Sequence, residues 1–165
     1  MKKILLCISF LCIMFTVVGC SEQEEAVTGE FLLGNFGFEL LSNETYHLVV
    51  PFEWTGDSPV TIDSIELIKK DNNPITYEED GIKYEFFGAD PLKKSGIYGN
   101  RDIGDKKSIN NFEIDGKGKI ILKIIADNVK EDSDRKVKIK FKSNGEESEK
   151  IVEWKTLEQF STDNN

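Results

Sequence analysis

The stretch RKVKIKFKSNGEESEKIVEWKTL, residues 135–157, decides the fold class of this chain. In its first half Val137, Ile139 and Phe141 share one parity, and the other parity is a row of lysines at 136, 138, 140 and 142. A period of two residues is typical of a half-buried strand. Asn144-Gly145 is a strong signal for a tight hairpin turn, and residues 149–157 then predict the returning strand. The chain is therefore predicted to close on an antiparallel hairpin.

The same kind of pattern recurs upstream, whereas strong helix signals are scarce. Strands are predicted over 31–33 and 36–41 as one interrupted strand, and over 46–54, 60–69, 82–87 and 118–126. Within 60–69 the apolar parity switches at Asp63-Ser64, which requires a bulge or a break. Short strands separated by turn residues predict an all-β chain, a β-sandwich of about seven strands, with an open β-barrel as the alternative.

Trp54 lies on what would be an early core strand of this sandwich. Together with the strand order, this resembles an immunoglobulin-like domain of bacterial surface proteins, here without its disulfide. The resemblance is one of architecture and implies no particular ligand. We expect the β-sandwich domain to span 30–158 and a polar tail to follow over 159–165.

The N-terminal residues have the plan of an export signal. Met1-Lys2-Lys3 is a short positive start, residues 4–18 carry no charge, and an abrupt polar change follows Cys20. The apolar run is shorter than the roughly 20 residues that a spanning helix needs. Secretory signals combine a charged start, a short apolar run and a small residue before the cleavage site.

Val17-Val18-Gly19-Cys20 resembles the lipobox of bacterial lipoproteins. The resemblance implies that 1–19 is a lipoprotein signal peptide and that Cys20 receives a thioether-linked diacylglycerol after which it becomes the first residue. It also implies attachment to the extracytoplasmic face of the cell membrane, with 20–29 forming the lipidated Cys and a polar linker. The Lys-, Ile- and Asn-rich composition is typical of a low-GC Gram-positive source.

The inventory of reactive side chains excludes several chemistries. The three cysteines are Cys7, Cys12 and Cys20, so a processed chain would keep no free thiol, and His47 is the single histidine. Zinc and copper sites draw on clusters of Cys, His or Met, and a serine triad would need His47 as its base. His47 has the parity opposite to the apolar residues of 46–54, which predicts a solvent-facing position. We therefore predict no catalytic residue, no metal site and no cofactor.

Charge argues against nucleic acid as a partner. The chain has 21 Lys plus Arg against 30 Asp plus Glu, a net charge of -9. A general nucleic-acid binder needs a basic surface. The lysine row of 136–142 is interpreted as a solvated strand face that nearby glutamates offset.

Two acidic features leave alternatives open. The loop 127–134 holds Asp127, Glu131, Asp132 and Asp134, which is a weak signal for calcium because the EF-hand spacing is missing. Paired carboxylates could also serve an envelope hydrolase, although so acidic a chain always offers such a pair.

The segment 81–118 is the least regular part of the chain. It holds glycines at 81, 88, 96, 99, 104, 116 and 118, together with several aromatic residues. Long loops in compact domains often carry function. We predict Tyr98, Arg101 and Asp102 as exposed partner contacts. The alternative is a small-ligand carrier with its pocket beneath this segment. The leading hypothesis is a lipid-anchored, non-enzymatic domain that binds a protein or a cell-envelope component.

Overall fold

A computed structural model describes residues 27–37 and 39–163 and shows an all-β protein. The signal peptide, Cys20 and most of the linker lie outside these residues. The strands are β1 (Phe31–Leu33), β2 (Leu40–Leu41), β3 (Thr45–Trp54), β4 (Val60–Ile68), β5 (Ile82–Gly88), β6 (Gly96–Tyr98), β7 (Lys107–Ser108), β8 (Phe112–Ile114), β9 (Lys117–Ala126), β10 (Lys136–Ser143), β11 (Glu146–Val152) and β12 (Thr162–Asp163). Two four-residue helices, α1 (Tyr77–Asp80) and α2 (Lys155–Glu158), complete the list.

Two antiparallel sheets form the sandwich. The six-stranded sheet has the order β1-β3-β9-β5-β7, with β6 also paired to β3, and the four-stranded sheet has the order β11-β10-β4-β8. The predicted β-sandwich is confirmed, and no barrel closes among the described residues. Six of the strands have seven residues or more, and the remaining ones are short edge pairings. No helix in the described part of the chain is long and apolar enough to cross a membrane.

The predicted hairpin and bulge are both present. Asn144 and Gly145 have φ angles of 53° and 88°, as a two-residue primed turn requires, and Ser143 pairs with Glu146 across it. On the other side of β10 the register slips by one residue: Lys140 pairs with Ser64, whereas Phe141 pairs with Ile62. Asp63 is the extra residue, so the bulge lies where the parity of the sequence switches.

The core is the layer between the sheets, with an aromatic cluster near the point where β1 joins. The Phe31 ring lies 4.7 Å from Trp54 and 5.1 Å from Phe141, measured between ring centroids. These contacts join the six-stranded sheet to β10 of the other sheet. The Trp54 indole N–H donates to the backbone carbonyl of Ser58 at 2.9 Å, so the buried ring keeps its polar atom bonded.

Three predictions about the ends of the fold are wrong in part. The interrupted first strand divides into β1 and β2, and β2 pairs with β12 in parallel rather than continuing β1. The returning strand ends at Val152 because Trp154 begins α2, and its indole N–H donates to the carbonyl of Gly34 at 3.0 Å. Residues 160–163 belong to the fold, not to a polar tail, since Phe160 is buried and Thr162 pairs with Leu40.

Candidate functional site

The segment between β5 and β7 forms a strap, defined as residues 89–106, across the outer face of the six-stranded sheet. It leaves the β5 edge at Ala89, whose N–H donates to the carbonyl of Lys119 on β9 at 3.1 Å. It then pairs as β6 with residues 47–49 on the far edge of β3, and returns to pair as β7 with Phe87 and Gly88. The strap therefore spans the sheet in both directions.

A small apolar cluster explains why the strap lies on this face. Val49, Ala89 and Ile121 are buried on the outer side of the sheet, and Phe87, Tyr98 and Ile103 pack against them. The alternation of β3 and β9 places Val49 and Ile121 opposite the main core, so these two side chains need a cover of their own. Ala89, Tyr98 and Ile103 of the strap supply that cover.

The three predicted partner contacts occupy different environments on the strap. Tyr98 is half-buried beside the apolar cluster, and its hydroxyl donates to the carbonyl of Lys94 at 2.9 Å. Arg101 and Asp102 are exposed, and the Asp102 carboxylate accepts the N–H of Gly104 at 2.8 Å. Tyr98 thus serves the packing of the strap, whereas Arg101 remains available at the surface.

His47 lies beneath the strap, and the prediction of a solvent-facing histidine is wrong. Its side chain does point away from the main core, as its parity requires, but only 7% of the residue is exposed. It pairs with Lys123 on one side and with Tyr98 on the other. Among the described residues neither ring nitrogen finds a hydrogen-bond partner. The sequence analysis missed this because a half-buried strand pattern gives no sign of a second cover.

The surroundings of His47 favour its neutral form. Burial is the largest effect that lowers its pKa, and the positive charges of Lys106 and Lys123 lower it further. The backbone of Gly99 lies near the ring and acts in the opposite direction, without satisfying either nitrogen in the geometry seen here. Within the described ranges no hydroxyl or carboxylate bonds to the ring, whereas a Ser-His-Asp triad requires both.

Basic side chains around the strap are free of ion pairs within residues 27–37 and 39–163. We call the strap and the outward residues of β9 the strap face. Its cations without a carboxylate within 4.0 Å are Lys93, Lys94, Arg101, Lys106, Lys117, Lys119 and Lys123. Two of them are used internally: the Lys93 ammonium donates to the carbonyl of Ile103, and Lys119 donates to the carbonyl of Lys93. The exposed members are Lys94, Arg101, Lys106 and Lys117, and the Lys106 ammonium lies 5.0 Å from the centroid of the Phe87 ring.

The lysine row on β10 is arranged differently. Lys136 lies 3.1 Å from Glu153, Lys138 lies 3.8 Å from Glu66, and Lys142 lies 3.5 Å from Glu147. Carboxylates therefore offset three of the four lysines, as interpreted, whereas Lys140 is exposed and has no carboxylate within 4.0 Å among the described residues. Exposed ion pairs of this kind contribute little to stability, but they cancel the local charge. The β10 row is thus largely paired, whereas the cations of the strap face have no carboxylate within 4.0 Å in the described part of the chain, although Asp90, Asp102 and Asp105 also lie on the strap.

Leu92 projects from the strap at a tight turn. The turn is fixed by Asp90, whose carboxylate accepts the N–H of Leu92 at 2.8 Å and whose carbonyl accepts that of Lys93 at 3.0 Å. Leu92 is 92% exposed, the highest value among the large apolar side chains described. The sequence analysis did not single it out, although the Asp-Pro-Leu-Lys-Lys run is a turn signal next to two cations.

The acidic loop at 127–134 is organised by Arg135 and Ser42. Arg135 donates to the carbonyls of Lys130 at 2.6 Å and Phe160 at 3.1 Å, and lies 3.8 Å from the Asp132 carboxylate. The Asp127 carboxylate accepts the Ser42 hydroxyl at 2.7 Å. These side chains tie the loop to the C-terminal segment. Across the described ranges no three His, Cys, Asp or Glu side chains converge as a metal site would require.

The clefts offer little to the hydrolase and carrier alternatives. A cleft of about 380 Å³ borders Asp63 and Glu147, but both carboxylates lie within 3.8 Å of the Lys142 ammonium. Beneath the 81–118 segment lies a cleft of about 340 Å³, bordered by Ile65 and Tyr84 among others, and it is open to solvent.

Comparisons with known proteins return no relative. No protein-family model, no curated protein and no solved structure matches the chain. The site is therefore interpreted from its own geometry.

Proposed function

We propose that this chain is a lipid-anchored, extracytoplasmic bacterial domain that is not an enzyme and that binds a protein or a cell-envelope component through its strap face. The signal segment and the Val17-Val18-Gly19-Cys20 motif support the anchor. The observation that carries the binding role is the strap itself. It is a long segment between two strands, and it presents the exposed side chains of Leu92, Lys94 and Arg101 instead of enclosing a pocket.

The chemistry of the strap face points to an acidic partner. Leu92 supplies an apolar contact on a fixed turn, and Lys94 and Arg101 supply cations that no carboxylate of the described chain neutralises. The two limbs of the strap are joined where the Lys93 ammonium meets the carbonyl of Ile103. An apolar anchor surrounded by charges is the usual anatomy of a binding surface. Complementary charge would also speed the encounter with such a partner.

Cross-linking followed by mass spectrometry on intact cells tests this proposal. The variant carries Leu92→Ser, Lys94→Glu and Arg101→Glu. A matched control, Leu41→Ser, Lys130→Glu and Lys155→Glu, makes the same three kinds of change at exposed positions away from the strap.

We expect the wild-type protein and the control to recover one dominant partner, and the strap variant to lose most of it. Recovery of the same partner by the strap variant at wild-type yield would contradict the proposal. Circular dichroism of both variants checks that the fold is kept.

A further inference from the structure

We propose that His47 is a pH-sensitive latch: proton uptake by its imidazole releases the strap, residues 89–106, from the outer face of the six-stranded sheet. The latch concerns the movement of the strap and does not depend on which partner the strap binds. It rests on three structural features, which are the burial of the ring, the charges around it and the weak attachment of its cover.

The ring is enclosed without being bonded. His47 is 7% exposed and has no partner for either nitrogen among the described residues. Buried polar groups normally find hydrogen-bond partners, and exceptions call for an explanation. A neutral imidazole tolerates this position better than a cation does, because a buried charge needs a counter-charge or several hydrogen bonds. A proton on the ring therefore favours any state in which water reaches it.

The charged groups that face His47 do not supply that counter-charge. Lys123 on β9 is its direct cross-strand neighbour, and Lys106 on the returning limb of the strap adds a second positive charge. On β6 the neighbour is the neutral Tyr98. Glu85 on β5 lies opposite Lys123, one strand further from the ring. Arg101 and Asp102 follow in the exposed loop after β6 and bring charges of opposite sign.

The cover over His47 is the weakly held part of the molecule. β6 pairs with three residues of β3, and β7 pairs with two residues of β5. The apolar cluster beneath has three buried members, Val49, Ala89 and Ile121, against 25 in the main core. Regions with few apolar contacts open at lower free energy than the core does. Opening of the strap therefore requires less than unfolding of the sandwich.

The direction of the pH dependence follows from linkage. The closed state holds the pKa of His47 below its ordinary value of 6.5, whereas the open state restores it. The closed strap is therefore fully stabilised above pH 6.5 and loses that stabilisation as the pH falls below it. At pH 5.5 an ordinary imidazole is about ten times more often protonated than neutral, so the open fraction rises by up to about tenfold.

Hydrogen exchange read by mass spectrometry tests the latch between pH 7.5 and 4.5, with rates corrected for the intrinsic effect of pH. In the wild-type chain we expect amides of the strap to lose protection severalfold between pH 7.5 and 5.5, while amides of β9 keep theirs. His47→Phe fills the same place without titrating, so its strap protection is expected to stay constant over that range.

A second variant keeps the test decisive if His47→Phe fails to fold. Lys106 is exposed, and Lys106→Gln removes one of the two charges that disfavour the imidazolium. The closed strap should then tolerate the protonated ring better, so the loss of strap protection between pH 7.5 and 5.5 should be smaller than in the wild type. Strap protection that is unchanged with pH in the wild type, or that falls equally in His47→Phe, would overturn the latch. A loss of protection in Lys106→Gln as large as that in the wild type would do so as well.

Discussion

Tyr84 joins the two sheets where their edges separate. Its ring points inward from β5, and its hydroxyl accepts the N–H of Leu67 on β4 at 3.0 Å. The phenol is half-buried in this position, and its partial burial raises its pKa. Because β8 pairs with residues 60–62 of β4, the amide of Leu67 depends on Tyr84 for its hydrogen bond.

Tyr84→Phe should therefore destabilise the protein by about 1–3 kcal/mol, the usual cost of leaving a buried N–H unbonded. Urea unfolding at pH 7 measures the effect. Tyr77→Phe is the control, because Tyr77 is 42% exposed and its hydroxyl makes a long 3.4 Å contact with Asn43. We expect the control to change stability by no more than about 0.5 kcal/mol. Equal effects of the two substitutions would count against the bridging role.

Gly81 ends α1 in a conformation that other residues avoid. Its φ is 68°, its N–H donates to the carbonyl of Tyr77, and a Cβ would collide with the backbone carbonyl of Asp127. Gly81→Ala should cost about 2–4 kcal/mol, since left-handed backbone and a backbone clash add together. Gly145→Ala has the same kind of φ, 88°, with no atom within 4 Å, and should cost about 1 kcal/mol in thermal or urea unfolding. A smaller loss at Gly81 than at Gly145 would contradict the assigned clash.

At the scale of single residues the sequence predicts which face of a strand a side chain occupies, but not whether another segment covers that face. The outward position of His47 follows from the alternation of 46–54, whereas its burial depends on a strap some 50 residues later in the chain. Cys20 shows the converse case, because its prediction rests on four adjacent residues and needs no tertiary information. Local patterns are readable in this way, and contacts made by irregular segments are not.

Among the elements, those with a clean period of two were predicted well. β10, its Asn-Gly turn and the bulge at Asp63 follow directly from alternation and its interruption. The elements that were missed are short and held by tertiary contacts. α2 is an example, since Trp154 fixes its start through the carbonyl of Gly34 and not through a helix signal in the sequence.

Arg135 determines whether the C-terminal segment stays attached. The guanidinium is buried, burial lowers its pKa, and it bonds to the carbonyls of Lys130 and Phe160. Arg135→Ala should destabilise the fold by about 2–4 kcal/mol, because two carbonyls lose a charged donor and a cavity forms.

Hydrogen exchange should show the loss first at residues 158–163, which β12 and Phe160 tie to the body. Lys136→Ala is the control: it removes an exposed pair with Glu153 and should change stability by less than about 1 kcal/mol. Unchanged protection of 158–163 in Arg135→Ala would show that the C-terminal segment is held by other contacts.

At the scale of the whole molecule, the strap face differs in charge from the chain as a whole. The chain is strongly acidic, with a net charge of -9, yet cations without ion pairs collect around the strap. The β-sandwich was predictable because its long strands repeat one signal. The strap was predicted only as an irregular segment, since its path depends on pairings between residues far apart in sequence.

The first described strand and the strap both pair with β3. β1, the first strand after the linker, pairs with residues 52–54 of β3, and the strap leaves the sheet beside Lys119, the partner of Pro51. The proposed lipid on Cys20 lies seven residues before Val27, the first residue that the structure describes. Two acyl chains give durable attachment, since each buried methylene contributes about 0.8 kcal/mol.

The central claim is that the chain works as a lipoprotein, and the intact mass of the membrane-extracted protein tests it most directly. We predict a species that begins at Cys20 and carries the added mass of a diacylglycerol, and we predict that Cys20→Ser abolishes this species. A chain that retains residues 1–19, or one that begins elsewhere without lipid, would contradict the account.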